Sequence, residues 1–196
     1  AESVCKYLSN IGANINRSEY ANSFDAENTV FETRELLCSL FNFDKPENVV
    51  FTKNVTESLN ILIKGAFKEG DHVIVSSMEH NAVIRPLNAL RHKGISFSKA
   101  ICDSNGDIDV REIISLIKAN TKGIVMTHAS NVSGTILNLV DIGKICNEKG
   151  LLFIIDAAQT AGTIKVDFEE LCADAIAFTG HKSLLGPQGI GGFLLN

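Results

Sequence analysis

Two ionisable residues stand where short apolar runs stop abruptly. Leu151-Leu-Phe-Ile-Ile155 ends in Asp156, followed by Ala157-Ala158-Gln159, and Ala175-Ile-Ala-Phe178 runs into Thr179-Gly180-His181-Lys182-Ser183. Runs of this length and composition predict buried strands, and in open α/β sheets ligands sit beyond the carboxyl ends of the strands. Alone, Asp156 reads equally well as a cap for a following helix, and Lys182 as an exposed loop lysine. Their pairing shifts the balance, because an acid and an amine at the ends of successive strand candidates can face a common pocket.

The chemistry that needs such a pair is pyridoxal-phosphate (PLP) catalysis. A carboxylate beside the pyridine nitrogen keeps that nitrogen protonated, and the protonated ring withdraws electrons from a carbanion on the bound amino acid. A lysine forms the Schiff base with the aldehyde, and desolvation or a flanking cation makes it a better nucleophile and base. The phosphate needs a cradle. Phe51-Thr-Lys-Asn54 passes from strand to helix, and Asn54 with Glu57 three residues later is a capping-box signature. Free N–H groups near Val55 and Thr56 then point at an anion, and the Thr179 and His181 side chains add donors. His80, in Ser77-Met-Glu-His-Asn81, is placed to cover a flat ring or shuttle a proton; a helix cap or a structural histidine is the alternative. Asn131, in Thr127-His-Ala-Ser-Asn131, is placed to reach the same pocket, with a turn asparagine as its alternative.

The elements that must position these residues alternate along the chain. Strand candidates are Asn48–Thr52, His72–Ser76, Ile95–Ala100, Lys122–Thr127, Leu151–Ile155, Ala175–Thr179 and Ile190–Leu195. Helical spacing joins Leu59, Leu62, Ile63 and Ala66, and also Val110, Ile113, Ile114 and Ile117. A helix over Val30–Phe41 presents Val30, Leu37, Leu40 and Phe41 to one side, and another over Leu139–Lys149 stops at Gly150 as a C-cap. This order predicts an α/β fold, a three-layer sandwich around a mostly parallel seven-stranded sheet. Only the Gly180–Gly189 loop joins the last two strands, leaving no room for a crossover helix, so the last strand is expected antiparallel. The chain ends at Asn196 directly after a strand, and the expectation is a domain of a longer protein.

A net charge of −5 and no basic patch argue against nucleic acid or an anionic membrane as partner. No apolar run approaches the length of a membrane span, no export signal is visible, and the expected location is the cytoplasm. Five scattered cysteines, Cys5, Cys38, Cys102, Cys146 and Cys172, lack the spacing of a zinc site or a disulfide framework. Cys38 and Cys146 align with apolar helical neighbours and read as packed thiols. A dinucleotide-binding domain is disfavoured, because no Gly-x-Gly-x-x-Gly follows a strand.

Taken in order, Asn54-Val-Thr-Glu57, Met78-Glu-His80, His128-Ala-Ser-Asn-Val-Ser-Gly-Thr135, Asp156-Ala-Ala-Gln159, Thr179-Gly-His-Lys182 and Gly186-Pro-Gln-Gly189 resemble the class V aminotransferase family of fold type I PLP enzymes, and within it the cysteine desulfurase-like proteins. The resemblance implies that Lys182 forms the Schiff base with PLP and Asp156 pairs with its ring nitrogen. It implies that His80 stacks on the ring and, with Lys182, is catalytic. Gln159 and Asn131 resemble contacts to the PLP 3′-oxygen and to the substrate or ring edge. Thr56, Thr179 and His181, with Val55 beside Thr56, resemble the phosphate-binding positions, and Asn14-Ile-Asn-Arg17 is similar to a loop near the family's active site.

Two positions depart from the pattern: Ser183-Leu-Leu185 is one residue longer than the usual spacer before Gly-Pro, and Val55 replaces a second hydroxyl or a small residue. The implied activity is conversion of L-cysteine to L-alanine with sulfur transfer to an enzyme cysteine and then to an acceptor protein, in a homodimer. The persulfide cysteine, the arginine for the substrate carboxylate and the small C-terminal domain are expected outside residues 1–196, which would form the large PLP-binding domain and be inactive alone. Transamination, selenocysteine cleavage, β-elimination or an inactive PLP-binding fragment are the alternatives.

Overall fold

The computed structural model describes residues 2–13, 15 and 21–196. Of the Asn14 to Arg17 loop match, Asn14, Asn16 and Arg17 lie outside the described residues. The helices are α1 (Glu2–Lys6, continuing as a π-helical turn over Tyr7–Ile11), α2 (Ala21–Phe41), α3 (Val55–Ala66), α4 (Asn81–Leu90), α5 (Val110–Leu116) and α6 (Val140–Lys149). The strands are β1 (Val49–Thr52), β2 (His72–Ser76), β3 (Ser96–Ala100), β4 (Thr121–Thr127), β5 (Leu152–Asp156), β6 (Ala175–Thr179) and β7 (Gly191–Leu195).

One seven-stranded sheet has the order β1-β7-β6-β5-β4-β2-β3. Its pairs from β6 to β3 are parallel, and β7 runs antiparallel to both β6 and β1. The short connection after Thr179 produces this reversal, as its length predicts.

The central strands are buried on both faces, and their side chains alternate between two cores. Ile74, Ile124, Met126, Phe153, Ile155, Ile176, Phe178 and Leu194 pack with Phe41, Ile113 and Ile142 of α2, α5 and α6. Val73, Val75, Val125, Ile154, Ala177 and Phe193 pack with Leu59, Ile63, Val83 and Leu87 of α3 and α4. The result is the three-layer sandwich. Cys38 and Cys146 are buried in the first core, as their spacing predicts.

The structure corrects some helix faces. In α2, Leu40 is 45% exposed, and Cys38 joins Leu37 and Phe41 on the packed side. In α5, Ile114 is 46% exposed, while Ile113 is buried and Leu116 and Ile117 pack against it. Helix α4 was not expected. Its buried residues Ala82, Val83, Pro86, Leu87 and Leu90 do keep helical spacing, but Pro86 within it removes one helical N–H and reads as a breaker.

Close backbone approach sets the start of β7 against the N-terminus of α3. A Cβ on Gly191 would lie 2.7 Å from the Asn54 Cα and 2.9 Å from the Phe178 carbonyl oxygen. Gly65, by contrast, has nothing within 4 Å of its Cβ position and sits inside α3. Gly191→Ala should therefore destabilise the protein by about 1–3 kcal/mol, as overpacking does. Gly65→Ala should stabilise it by up to about 1 kcal/mol through helix propensity. Thermal and urea melts of the two variants check the opposite signs.

Candidate functional site

Every parallel strand around the middle of the sheet delivers residues to the same edge, its carboxyl end. There a cavity of about 310 Å³ is lined by Asn54, Val55, Thr56, His80, Thr127, Ala129, Asn131, Asp156, Ala158, Gln159, Thr179, His181 and Lys182. All nine site positions named from sequence, Val55, Thr56, His80, Asn131, Asp156, Gln159, Thr179, His181 and Lys182, line it together. A larger cleft of about 590 Å³ opens at the other end of the strands, near Phe43, Cys146 and Asp174, and contains none of them.

One side of the cavity is an anion-binding corner. Asn54 caps α3, its Oδ1 accepting from the Glu57 N–H at 2.9 Å, while Glu57 Oε2 accepts from the Lys53 N–H at 2.7 Å. The reciprocal bond reaches one residue beyond the usual capping box. The Val55 and Thr56 N–H groups have no acceptor among the described residues and lie in the first turn, where the helix dipole adds positive potential. Val55, which departs from the family pattern, is buried in the α3 core, so it offers its backbone N–H rather than a hydroxyl. Across the corner, Thr179 Oγ1 and His181 Nδ1 are 3.0 Å apart.

Asp156 ends β5 and is buried. Its Oδ1 accepts from the Ala158 N–H at 2.9 Å, closing a turn rather than capping a helix. Burial pushes its pKa up, against the opposing pull of the Ala158 hydrogen bond, Lys182 and His80. An acid held in this way favours a cation in front of it. His80 Nδ1 accepts from the Ala82 N–H at 3.1 Å and caps α4. The cap therefore occupies Nδ1 and leaves Nε2 as the ring nitrogen free to face the cavity.

Lys182 is half-buried in the β6–β7 loop, which is closed by Gly180 N–H to Ile190 O at 2.9 Å and Gly186 N–H to Gly180 O at 2.8 Å. The longer Ser183-Leu-Leu185 spacer is taken up by a turn, Leu185 N–H to Lys182 O at 2.9 Å, with Leu185 at φ 56°. That left-handed backbone is unusual for leucine.

Asn131 and Gln159 come from two loops tied together behind the cavity, where His128 Nδ1 and Thr160 Oγ1 are 3.1 Å apart. Burial holds the His128 pKa below its ordinary value. Sequence reasoning did not single out Thr127, Ala129 or Ala158 as lining residues, although each neighbours a quoted motif position. Glu79 was also missed, its only signal being its place beside His80.

The donor set fits PLP: an anion corner, a buried acid that favours a cation, an amine and an imidazole, all lining one cavity within the usual range for small-molecule sites.

Comparison with known proteins agrees with this geometry. Residues 1–195 match the Aminotransferase class-V family. The chain is 35% identical over 197 residues to cysteine desulfurase IscS of Vibrio campbellii, covering 97% of this chain and 48% of that protein. The apo structure of cysteine desulfurase from Thermococcus onnurineus superposes with a TM-score of 0.93 at 32% identity, over 100% of this chain and 49% of the other. A structure of SspA in complex with cysteine gives a TM-score of 0.93 at 30% identity, over 99% of this chain and 56% of the other. The chain thus spans about half the length of the curated relatives it matches. With its sheet order and its motifs at the strand ends, this chain belongs to the class-V aminotransferase family.

Proposed function

We propose that this chain is the large domain of a PLP-dependent cysteine desulfurase-like enzyme, acting on L-cysteine to give L-alanine. The observation that carries the reading is the meeting of buried Asp156 with Lys182 and His80 in a cavity whose far corner is the N-terminus of α3. The relatives' names and the cysteine bound in the SspA structure support the choice of substrate. When bound, PLP supplies the electron sink for bond breaking at the amino acid.

The chain's own residues have distinct tasks in this reading. Lys182 Nζ would hold the cofactor by its aldehyde and, as a free amine, would move a proton at the bound amino acid. Asp156 holds a proton on the ring nitrogen by its negative charge. His80 would lie against the bound ring, and Gln159 and Asn131, which line the same cavity, would orient the cofactor and the substrate. The Val55 and Thr56 N–H groups, with Thr179 and His181, hold the phosphate.

Sulfur leaves to a cysteine in the remainder of the protein and then to an acceptor protein. A homodimer is supported by apolar surface on the N-terminal helices, where Leu8 is 72%, Phe24 68% and Leu36 70% exposed. The free thiols Cys38 and Cys146 in the core fit a reducing compartment, and we place the protein in the cytoplasm.

The test is sulfide and alanine release from L-cysteine by the full-length protein. Lys182→Ala should abolish both products. Asp156→Asn should lower kcat by on the order of 100-fold or more with a much smaller loss of PLP affinity, since the phosphate corner persists and only the electron sink weakens. Turnover at the parental rate by PLP-loaded Asp156→Asn would remove Asp156 from this role. No sulfide from the wild-type protein, with turnover of another amino acid, would redirect the substrate assignment.

A further inference from the structure

Glu79 lies in the bend between β2 and α4, next to His80, and its carboxyl points away from solvent. Its Oε1 accepts from the Ser76 Oγ–H and, at 3.4 Å, from the Ser76 N–H at the end of β2. The same oxygen accepts from the Thr127 N–H at the end of β4 at 2.9 Å. Strands β2 and β4 pair as far as Val75 and Val125. Beyond that point they part to open the cavity, and the carboxyl takes the place of the next rung. Without it the Thr127 N–H at the end of β4 would lose its acceptor, a costly state for a buried donor.

The rung connects to both sides of the site. Thr127 pairs with Asp156 in the β4–β5 register, and His80 follows Glu79 directly in the chain. The other carboxyl oxygen, Oε2, is buried and has no partner among the described residues. Burial, ahead of the opposing Ser76 and Thr127 hydrogen bonds, and the Asp156 charge push Glu79 up to about 8. Because Oε1 holds the three hydrogen bonds, a proton on this carboxyl sits on Oε2 and leaves Oε1 accepting. Of the charged groups nearby, Asp156 faces Glu79 from β5, and Lys182 and His80 act on Asp156 from the cavity side.

We propose that Glu79 is a positioning residue of the cofactor site, which replaces the missing rung between β2 and β4 and sets His80 and Asp156 in their places around the cavity. The cofactor part of this inference rests on the PLP reading above.

The experiment compares Glu79→Ala, Glu79→Gln and Ser76→Ala in the full-length protein. Readouts are Thr127 amide hydrogen exchange without cofactor, PLP dissociation constant and visible circular dichroism with it, and melting temperature against pH. Glu79→Ala should exchange Thr127 faster, bind PLP about 10-fold or more weakly and lose visible dichroism. Glu79→Gln should stay within about threefold of wild type, because its amide oxygen accepts the same N–H groups.

The pH arm has a definite sign. Between the ordinary value of 4.5 and about 8, the folded protein holds a proton that the unfolded chain has released. Wild type should therefore lose melting temperature relative to Glu79→Gln as pH rises through that window, and the gap should level off above it.

Wild-type affinity and dichroism in Glu79→Ala would overturn the proposal, as would a Gln variant as damaged as the Ala variant. If Glu79→Ala does not fold, Ser76→Ala decides: a smaller loss in the same direction supports the rung, and unchanged PLP affinity overturns it. Wild-type protein that takes up no PLP overturns the cofactor reading, and this failure is distinguishable because the Thr127 exchange arm requires no cofactor.

Discussion

Removing a carboxyl from water at the end of a strand buried on both faces is costly unless something positive or hydrogen-bonding meets it. Asp156 is in that position, met by one N–H from Ala158 and by the opposing charge of Lys182. The arrangement depends on strand direction. Because β2, β4, β5 and β6 are parallel, their carboxyl ends open on one edge and His80, Asn131, Asp156 and Lys182 converge there. Reversal of β7 keeps the Lys182 loop short and brings Gly191 against the N-cap of α3, so the amine and the anion corner are fixed by the same turn of the chain.

The upward shift of the second buried acid, Glu79, to about 8 follows from the same constraint. Two carboxylates in one low-dielectric region repel, and the proton settles on the one with fewer opposing charges. Glu79 has the Thr127 N–H and the Ser76 hydroxyl but no cation, whereas Asp156 has Lys182. In this division of roles Glu79 works as a hydrogen-bonded tie and Asp156 as the charge.

Much of this was legible in the sequence because it rests on local pattern. Apolar runs ending in Asp156 and Thr179 mark strand ends whatever the sheet order, and the Asn54–Glu57 spacing names the α3 cap that the structure contains. Features set by tertiary context were not legible. Leu40 has the same hydrophobicity as Leu37, and only the placement of α2 on the sheet leaves it facing out. Helix α4 was hidden by Pro86, whose missing N–H the structure tolerates at a buried position. The rung made by Glu79 depends on two strands being neighbours, which spacing along one chain does not encode.

Attachment of PLP at Lys182 is the claim on which the rest turns. Borohydride reduction of the purified full-length protein, followed by proteolysis and mass spectrometry, locates the attachment directly. The account predicts a single phosphopyridoxyl-modified peptide containing Thr179-Gly-His-Lys182, with the added mass on Lys182. Modification of a different lysine, or none after incubation with PLP, would contradict it.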